Sequence, residues 1–216
     1  MLTSSVITSY TIHPAEVFFI RYSITTSVVR GSHQGESHGG VYLVDFTGQA
    51  IEQVIDWNTA DIDWQGRGWD EAVALKTAEF PDHARLIQMI RDNWHDAVPG
   101  EIPEGLQALR SVRDSGRPVY GITNFSAEKW AECQNRFDFL THFTGVVVSA
   151  HERLIKPDPA IFRLFLDRNG LAAEDCLFID DSAANIATAD ALGFDTIHLK
   201  DPACLMGKLR VRGVMQ

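Results

Sequence analysis

Apolar runs of four or five residues alternate along this chain with helical patterns, and several of the runs end abruptly in polar side chains. Val41-Tyr42-Leu43-Val44 ends in Asp45-Phe46-Thr47-Gly48. Pro118-Val119-Tyr120-Gly121-Ile122 ends in Thr123-Asn124, and Gly145-Val146-Val147-Val148 ends at Ser149. Cys176-Leu177-Phe178-Ile179 ends in Asp180-Asp181-Ser182, and Phe194 to Leu199 follows as another strand. Continuous apolar runs of this length predict strands buried on both faces.

Between the strands the spacing turns helical. Pro103 opens a helix with Leu106, Leu109 and Val112 on one face, and Gly116 stops it. Ser126 caps a helix that carries Trp130 and Phe137 inward. Asp158 as N-cap and Pro159 at the first helical position start a helix with Ile161, Phe162, Phe165 and Leu166, ended by Asn169-Gly170. Ser182 caps a helix with Ile186, Ala189 and Leu192, ended by Gly193. Strands alternating with helices predict a Rossmann-like α/β fold: a parallel sheet flanked by helices, with right-handed crossovers.

Residues 50–100 lack strand patterning. Trp69, Ala72, Val73 and Phe80 share one helical face, and Leu86, Ile87, Ile90 and Trp94 another, with Pro81-Asp82 between them. This predicts a small helical cap inserted in the α/β core, its own core filled by Trp57, Trp64, Trp69 and Trp94. Residues 1–40 read as an atypical extension: Val17-Phe18-Phe19-Ile20 is its best strand, and Arg30 to Gly40 is a polar, glycine-rich connector. The expected organisation is thus 1–40 extension, 50–100 cap, and 41–49 with 101–216 as the α/β core.

The totals narrow the classes. The 216 residues suffice for one α/β domain with a small insert. A net charge of -10 argues against nucleic acid or an anionic membrane as partner. Cys133, Cys176 and Cys204 are odd in number and widely spaced, which fits a reducing cytoplasm. No run is long enough to span a bilayer, and the N-terminus has no signal-peptide pattern. A cytoplasmic monomer or homodimer is expected.

In a parallel sheet the carboxyl ends of the strands share one edge, where ligands bind. That edge would collect Asp45, Thr123-Asn124 and Asp180-Asp181. Lys156, held by Pro157 just before a helix, joins them if it points the same way. Two adjacent carboxylates repel unless a cation sits between them, and hard oxygen donors suit Mg²⁺. A carboxylate nucleophile, hydroxyl and amide donors, a lysine and a metal site are what attack on a phosphoryl group needs.

These residues resemble the haloacid dehalogenase-like hydrolase superfamily, in particular its phosphatases with a helical cap. Val119 to Asn124 is similar to the family's second motif, Leu154-Ile155-Lys156-Pro157-Asp158-Pro159 to its lysine motif, and Phe178 to Asn185 to its acidic motif. The resemblance implies that Asp181 and Asp180 hold Mg²⁺ with the first-strand aspartate, and that Lys156 balances the charge of phosphate and nucleophile. It implies that Thr123 and the Asn124 region hydrogen-bond the phosphoryl oxygens, and that the first-strand aspartate forms a phospho-aspartate which water hydrolyses. Asp45 is the best match for that aspartate, and Thr47 then stands where the second acid protonates the leaving group. Threonine occupies that place in ion-pumping ATPases of the superfamily. An alternative alignment sets Gly39-Gly40-Val41 on the Gly-Gly-Val that often follows the nucleophile, which puts Ser37 at the catalytic position with no strand before it. Divergence or a shifted reading frame across residues 1–50 would account for the irregular first motif.

The expected activity is a Mg²⁺-dependent phosphatase acting on a small phosphorylated metabolite. A catalytically silent relative that binds phosphate or a partner protein is the alternative. A 2-haloacid dehalogenase is disfavoured, because such enzymes lack the Asp-Asp-Ser of Asp180 to Ser182.

Overall fold

A computed structural model of the chain describes residues 17–20, 68–92 and 101–214. Five strands form one sheet: β1 (Val17–Ile20), β2 (Val119–Thr123), β3 (Gly145–Val148), β4 (Cys176–Asp180) and β5 (Asp195–His198). Their order is β3-β2-β1-β4-β5 and every adjacent pair is parallel. This is the Rossmann-like α/β arrangement that the alternating pattern predicts.

The centre of the sheet departs from the sequence reading. Val17–Ile20 lies between β2 and β4, with Phe18 in register with Val119 and Leu177, and Ile20 with Ile179. The sequence reading assigned those residues to an extension and gave the first core strand to Val41–Val44, which lies outside the described residues. The physical reason is plain. A central strand of a parallel sheet is buried on both faces, so an uninterrupted apolar run suits it whether or not a carboxylate follows.

The helices opened by Pro103, Ser126, Asp158 and Ser182 form where their caps and stops predict. α1 (Trp69–Glu79) and α2 (Ala84–Asp92) follow one another across a short 3₁₀ turn, Pro81–His83. α3 runs from Pro103 to Asp114, and α4 (Ala127–Arg136) is capped by the Ser126 hydroxyl, which accepts from Lys129 N. A short α5 (Ser149–Glu152) follows β3. α6 (Pro159–Asn169) is capped by Asp158, which accepts from Ala160 N, and ends at Gly170. Gly170 sits at φ 63°, the left-handed conformation that a residue without Cβ adopts at least cost. α7 (Ala183–Ala191) is capped by Ser182, and α8 (Leu205–Val211) closes the described chain.

β4 separates two apolar clusters by its pleat. Leu177 and Ile179 join Leu109, Val112, Leu205 and Leu209 of α3 and α8. Cys176 and Phe178 join Ile161, Phe162 and Phe165 of α6 and Ile186 of α7. On that second face Phe162, Phe178 and Phe194 meet edge to face, with centroids 5.3 to 6.1 Å apart. Trp130, expected inside, is only half-buried.

Trp69 is buried too, but not in a separate cap core. It packs in the first cluster, its backbone N–H donates to Glu128 Oε1 at 3.2 Å, and Lys129 Nζ lies 5.4 Å from its ring centroid. The start of α1 is therefore fastened to α4. Trp57, Trp64 and Trp94 lie outside the described residues.

Two outcomes test this packing. Phe162→Ala should destabilise the fold by about 3–5 kcal/mol, the usual cost of emptying a closed aromatic site, read from the urea midpoint with the m-value unchanged. Cys204 is exposed whereas Cys133 and Cys176 are buried, and burial beside Asp175 and Glu174 pushes the Cys176 thiol up to about 12. A thiol reagent at pH 8 should label Cys204 rapidly and reach Cys176 only on unfolding, which mass spectrometry of the labelled peptides would read.

Candidate active site

The pleat that puts Phe178 on one face of β4 puts Asp180 on the same face, at the strand's carboxyl end. Asp180 is 1% exposed. Its Oδ2 accepts from Lys156 Nζ at 2.9 Å, and its Oδ1 accepts from Ser182 N and from Asn185 Nδ2, each at 2.9 Å. Lys156 Nζ also donates to the Ile122 carbonyl of β2 at 2.7 Å and sits 5.8 Å from the Phe178 ring centroid. Neither charged side chain has exposed surface. A lysine before a helix is ordinarily solvated. This one is drawn across the ends of β2 and β4, because a buried carboxylate requires a cation and donors around it.

Asn124 explains how the lysine is placed. Its Nδ2 donates to the Lys156 carbonyl and its Oδ1 accepts from the Lys156 N–H, both at 2.9 Å. The side-chain amide thus reads the lysine's own peptide groups on both sides, next to the cis Lys156-Pro157 bond. The sequence reading gave the Asn124 region to phosphoryl oxygens; in the structure its amide is engaged with backbone. Ser149, wholly buried at the end of β3, does the same for the next residue: its Oγ accepts from Phe125 N at 3.0 Å and donates to Phe125 O at 3.3 Å.

Thr123 ends β2 half-buried, in register with Val148. Its hydroxyl has no hydrogen-bond partner among the described residues, so it keeps its capacity to donate toward the sheet edge. Asp181 is exposed, and its carbonyl accepts from His198 Nε2 at 2.9 Å. Helices α4 and α7 begin directly after β2 and β4, so their N-terminal amides and dipoles favour an anion at this edge.

The structure thus joins Thr123, Asn124, Lys156, Asp180 and Asp181 at one edge. Asp45 and Thr47 lie outside the described residues. β1 ends at Ile20 in the middle of that edge, and the sequence continues Arg21-Tyr22-Ser23, with no carboxylate before Glu36. Three participants were missed in the sequence: Ser149, Asn185 and His198. Asn185 was legible in part, because it stands three residues after the cap Ser182 and so faces back over the first turn.

The donor chemistry fits a divalent cation of the magnesium kind. No group of three or more His, Cys, Asp or Glu side chains suited to a metal occurs among the described residues. Of the adjacent pair, Asp180 is buried with its oxygens engaged by Lys156, Ser182 and Asn185, and Asp181 is exposed and carries the hard oxygen donors that suit Mg²⁺, which commonly takes one or two carboxylates and keeps waters and substrate oxygens for the rest.

Comparison with known proteins agrees with this geometry. A family model described as haloacid dehalogenase-like hydrolase matches residues 15–193 and so includes β1. The chain is 24% identical over 178 residues to phosphoglycolate phosphatase of Shigella boydii, covering 74% of this chain and 71% of that one. It is 29% identical over 102 residues to the sesquiterpene phosphatase astK of Aspergillus oryzae, covering 47% of this chain and 52% of that protein. Several other matched relatives are longer proteins, of which the chain spans between 11% and 20%. Among solved structures, a HAD-like family hydrolase from Porphyromonas gingivalis superposes with a TM-score of 0.57 at 21% identity, over 74% of this chain and 82% of that one, a likeness of fold.

The buried pair yields a direct test. Asp180→Asn leaves Lys156 buried without its counter-charge and should cost about 3–5 kcal/mol of stability. Asp180→Asn combined with Lys156→Met should cost clearly less than the two single losses added, as a double-mutant cycle by urea unfolding would show.

Proposed function

The chain belongs to the haloacid dehalogenase-like hydrolase family, and from that premise we propose that it is a Mg²⁺-dependent phosphatase of a small phosphorylated metabolite. The observation that supports the reading best is the buried Lys156, held by Asp180, Asn124 and the Ile122 carbonyl at the ends of two strands. A fixed cation at that edge has an evident use in offsetting the charge of a phosphoryl group. Thr123 donates to a phosphoryl oxygen, and the amides at the starts of α4 and α7 add to the attraction. Asn124 serves by holding the lysine's backbone. Asp181, backed by Asp180 and joined by Asp45, would hold Mg²⁺, which supplies charge neutralisation when bound. Asp45 is the candidate nucleophile that forms a phospho-aspartate, with Thr47 beside it at the leaving-group position.

A similarity to phosphoglycolate and sesquiterpene phosphatases brings two substrate classes forward, a small acidic phosphate and a prenyl phosphate. A cytoplasmic setting goes with this reading. No helix among the described residues is long and apolar enough to cross a membrane.

One observation favours a second reading. The central strand is followed by Arg21 rather than by a carboxylate, so a chain whose Asp45 does not reach the edge would bind phosphate without turning it over. Hydrolysis of p-nitrophenyl phosphate, phosphoglycolate and a prenyl phosphate with and without Mg²⁺ separates the two. For the phosphatase, Asp181→Asn should lower kcat/KM by about 10²-fold or more and Asp45→Asn should remove turnover. Full activity in both variants would dismiss both assignments. No turnover in the wild type, with inorganic phosphate still raising the unfolding midpoint, would establish the second reading.

A further inference from the structure

At the amino edge of the sheet, opposite the candidate site, one imidazole nitrogen is enclosed without a partner. The 3₁₀ turn Asp138–His142 leads into β3 and packs against α3. Phe139 of the turn is buried in the first cluster with Leu109 and Val112, and Phe143 packs against that cluster. Thr144 N then donates to the Val119 carbonyl, which ties the entry of β3 to the start of β2. His142 closes the turn half-buried, and its Nδ1 is shielded from water with no hydrogen-bond partner. A neutral ring tolerates this by carrying its proton on Nε2 and leaving Nδ1 bare. An imidazolium has a hydrogen on both nitrogens, so protonation puts a donor where there is neither acceptor nor water.

The neighbouring charges act in the same direction. α3 brings Arg113, Arg110 and Asp114 toward the ring, and the turn itself brings Asp138. Arg113 Nε and Nη2 both donate to Asp114 Oδ1, at 3.1 and 2.8 Å, so that carboxylate is already engaged. α4 also packs on the turn, and it ends in Arg136, whose guanidinium lies 5.0 Å from the Phe137 ring centroid. Burial first, then Arg113 and Arg110, make His142 harder to protonate than an ordinary imidazole, against the smaller opposing pull of the carboxylates.

We propose that His142 is an acid-sensitive joint: neutral, it lets the turn close on α3, and protonated, it raises the population in which the turn has opened from that helix. Phe139, Phe143 and the Thr144 bond set how rarely the neutral turn opens, and the proton adds to that opening with those contacts still in competition. In the opened turn the ring takes a proton at its ordinary value of about 6.5. In the closed turn it does so only at lower pH. Above the ordinary value neither form is charged at this ring and pH has no hold. As pH falls through it, the open form binds more protons and gains on the closed one.

The experiment uses the full chain and reads amide hydrogen exchange over residues 138–144 at pH 7.5 and 5.5, expressed as protection after correction for the intrinsic rate at each pH. Wild type should lose protection there by about threefold or more at the lower pH, and His142→Leu, which has neither a proton to take nor a nitrogen to leave bare, should lose clearly less. Comparing the two pH values within each protein cancels any change in baseline packing. The His142 ring signal, assigned by its absence from the variant's proton spectrum, should titrate below the ordinary value. Unchanged protection in the wild type would overturn the proposal, because the protonated ring would then swing out without moving the turn. Equal loss in His142→Leu, or a ring midpoint at or above the ordinary value, would overturn it as well. Should the variant not fold, the ring is assigned through its contacts with the turn, and wild-type protection and ring midpoint decide together.

Discussion

An ion pair with no exposed surface, Lys156 on Asp180, is the constraint around which this molecule is arranged. Two charges taken out of water are costly, and their attraction offsets that only when every remaining donor and acceptor is served. The surrounding residues serve them. Ser182 and Asn185 take one oxygen of Asp180, Lys156 takes the other, and the Ile122 carbonyl takes a second proton of the lysine. Stability alone is a poor reason for such a pair, since apolar side chains of similar volume usually do as well. A fixed cation at the carboxyl edge of a parallel sheet, flanked by two helix N-termini, instead accords with the anion-receiving role proposed above.

That pair also ties together segments that are distant in sequence. Asn124 connects the end of β2 to the Lys156 peptide, Ser149 connects the end of β3 to Phe125, and His198 connects the end of β5 to Asp181. Each is a polar side chain used on another segment's backbone. Thr123, the half-buried last residue of β2, and Asp181, exposed just after β4, thereby stand where the neighbouring main chain is already committed. Division of labour of this kind lets irregular loops keep fixed positions, because the peptide groups that would otherwise seek water have internal partners.

Much of this was legible in the sequence. Helix boundaries at Pro103, Ser126, Asp158 and Ser182 followed from capping and N1 chemistry, which acts within four residues and so needs no tertiary knowledge. The grouping of Thr123, Lys156 and Asp180-Asp181 followed from the rule that parallel strands align their carboxyl ends. What was not legible depended on long-range contact. Lys156 and Asn124 are 32 residues apart, and nothing local distinguishes an amide facing a phosphate from one facing a neighbour's backbone. Trp69 reads as filler for a helical insert, yet its burial is against α4, because an indole that large finds its best cover in the principal core. The central strand was misplaced for another reason. A carboxylate after a strand is a mark of chemistry, whereas the sheet selects by apolar continuity, which Val17–Ile20 has.

The place of β1 has a consequence for how the chain reaches its native state. Its partners, β2 and β4, are encoded in the far half of the sequence, so the middle of the sheet closes only after most of the polypeptide is present. During synthesis an apolar strand with two unsatisfied edges must wait for them. Folds dominated by such remote pairings assemble slowly and expose adhesive surface while they do. The interval for which β1 stays unpaired therefore lengthens with every residue translated between it and β4.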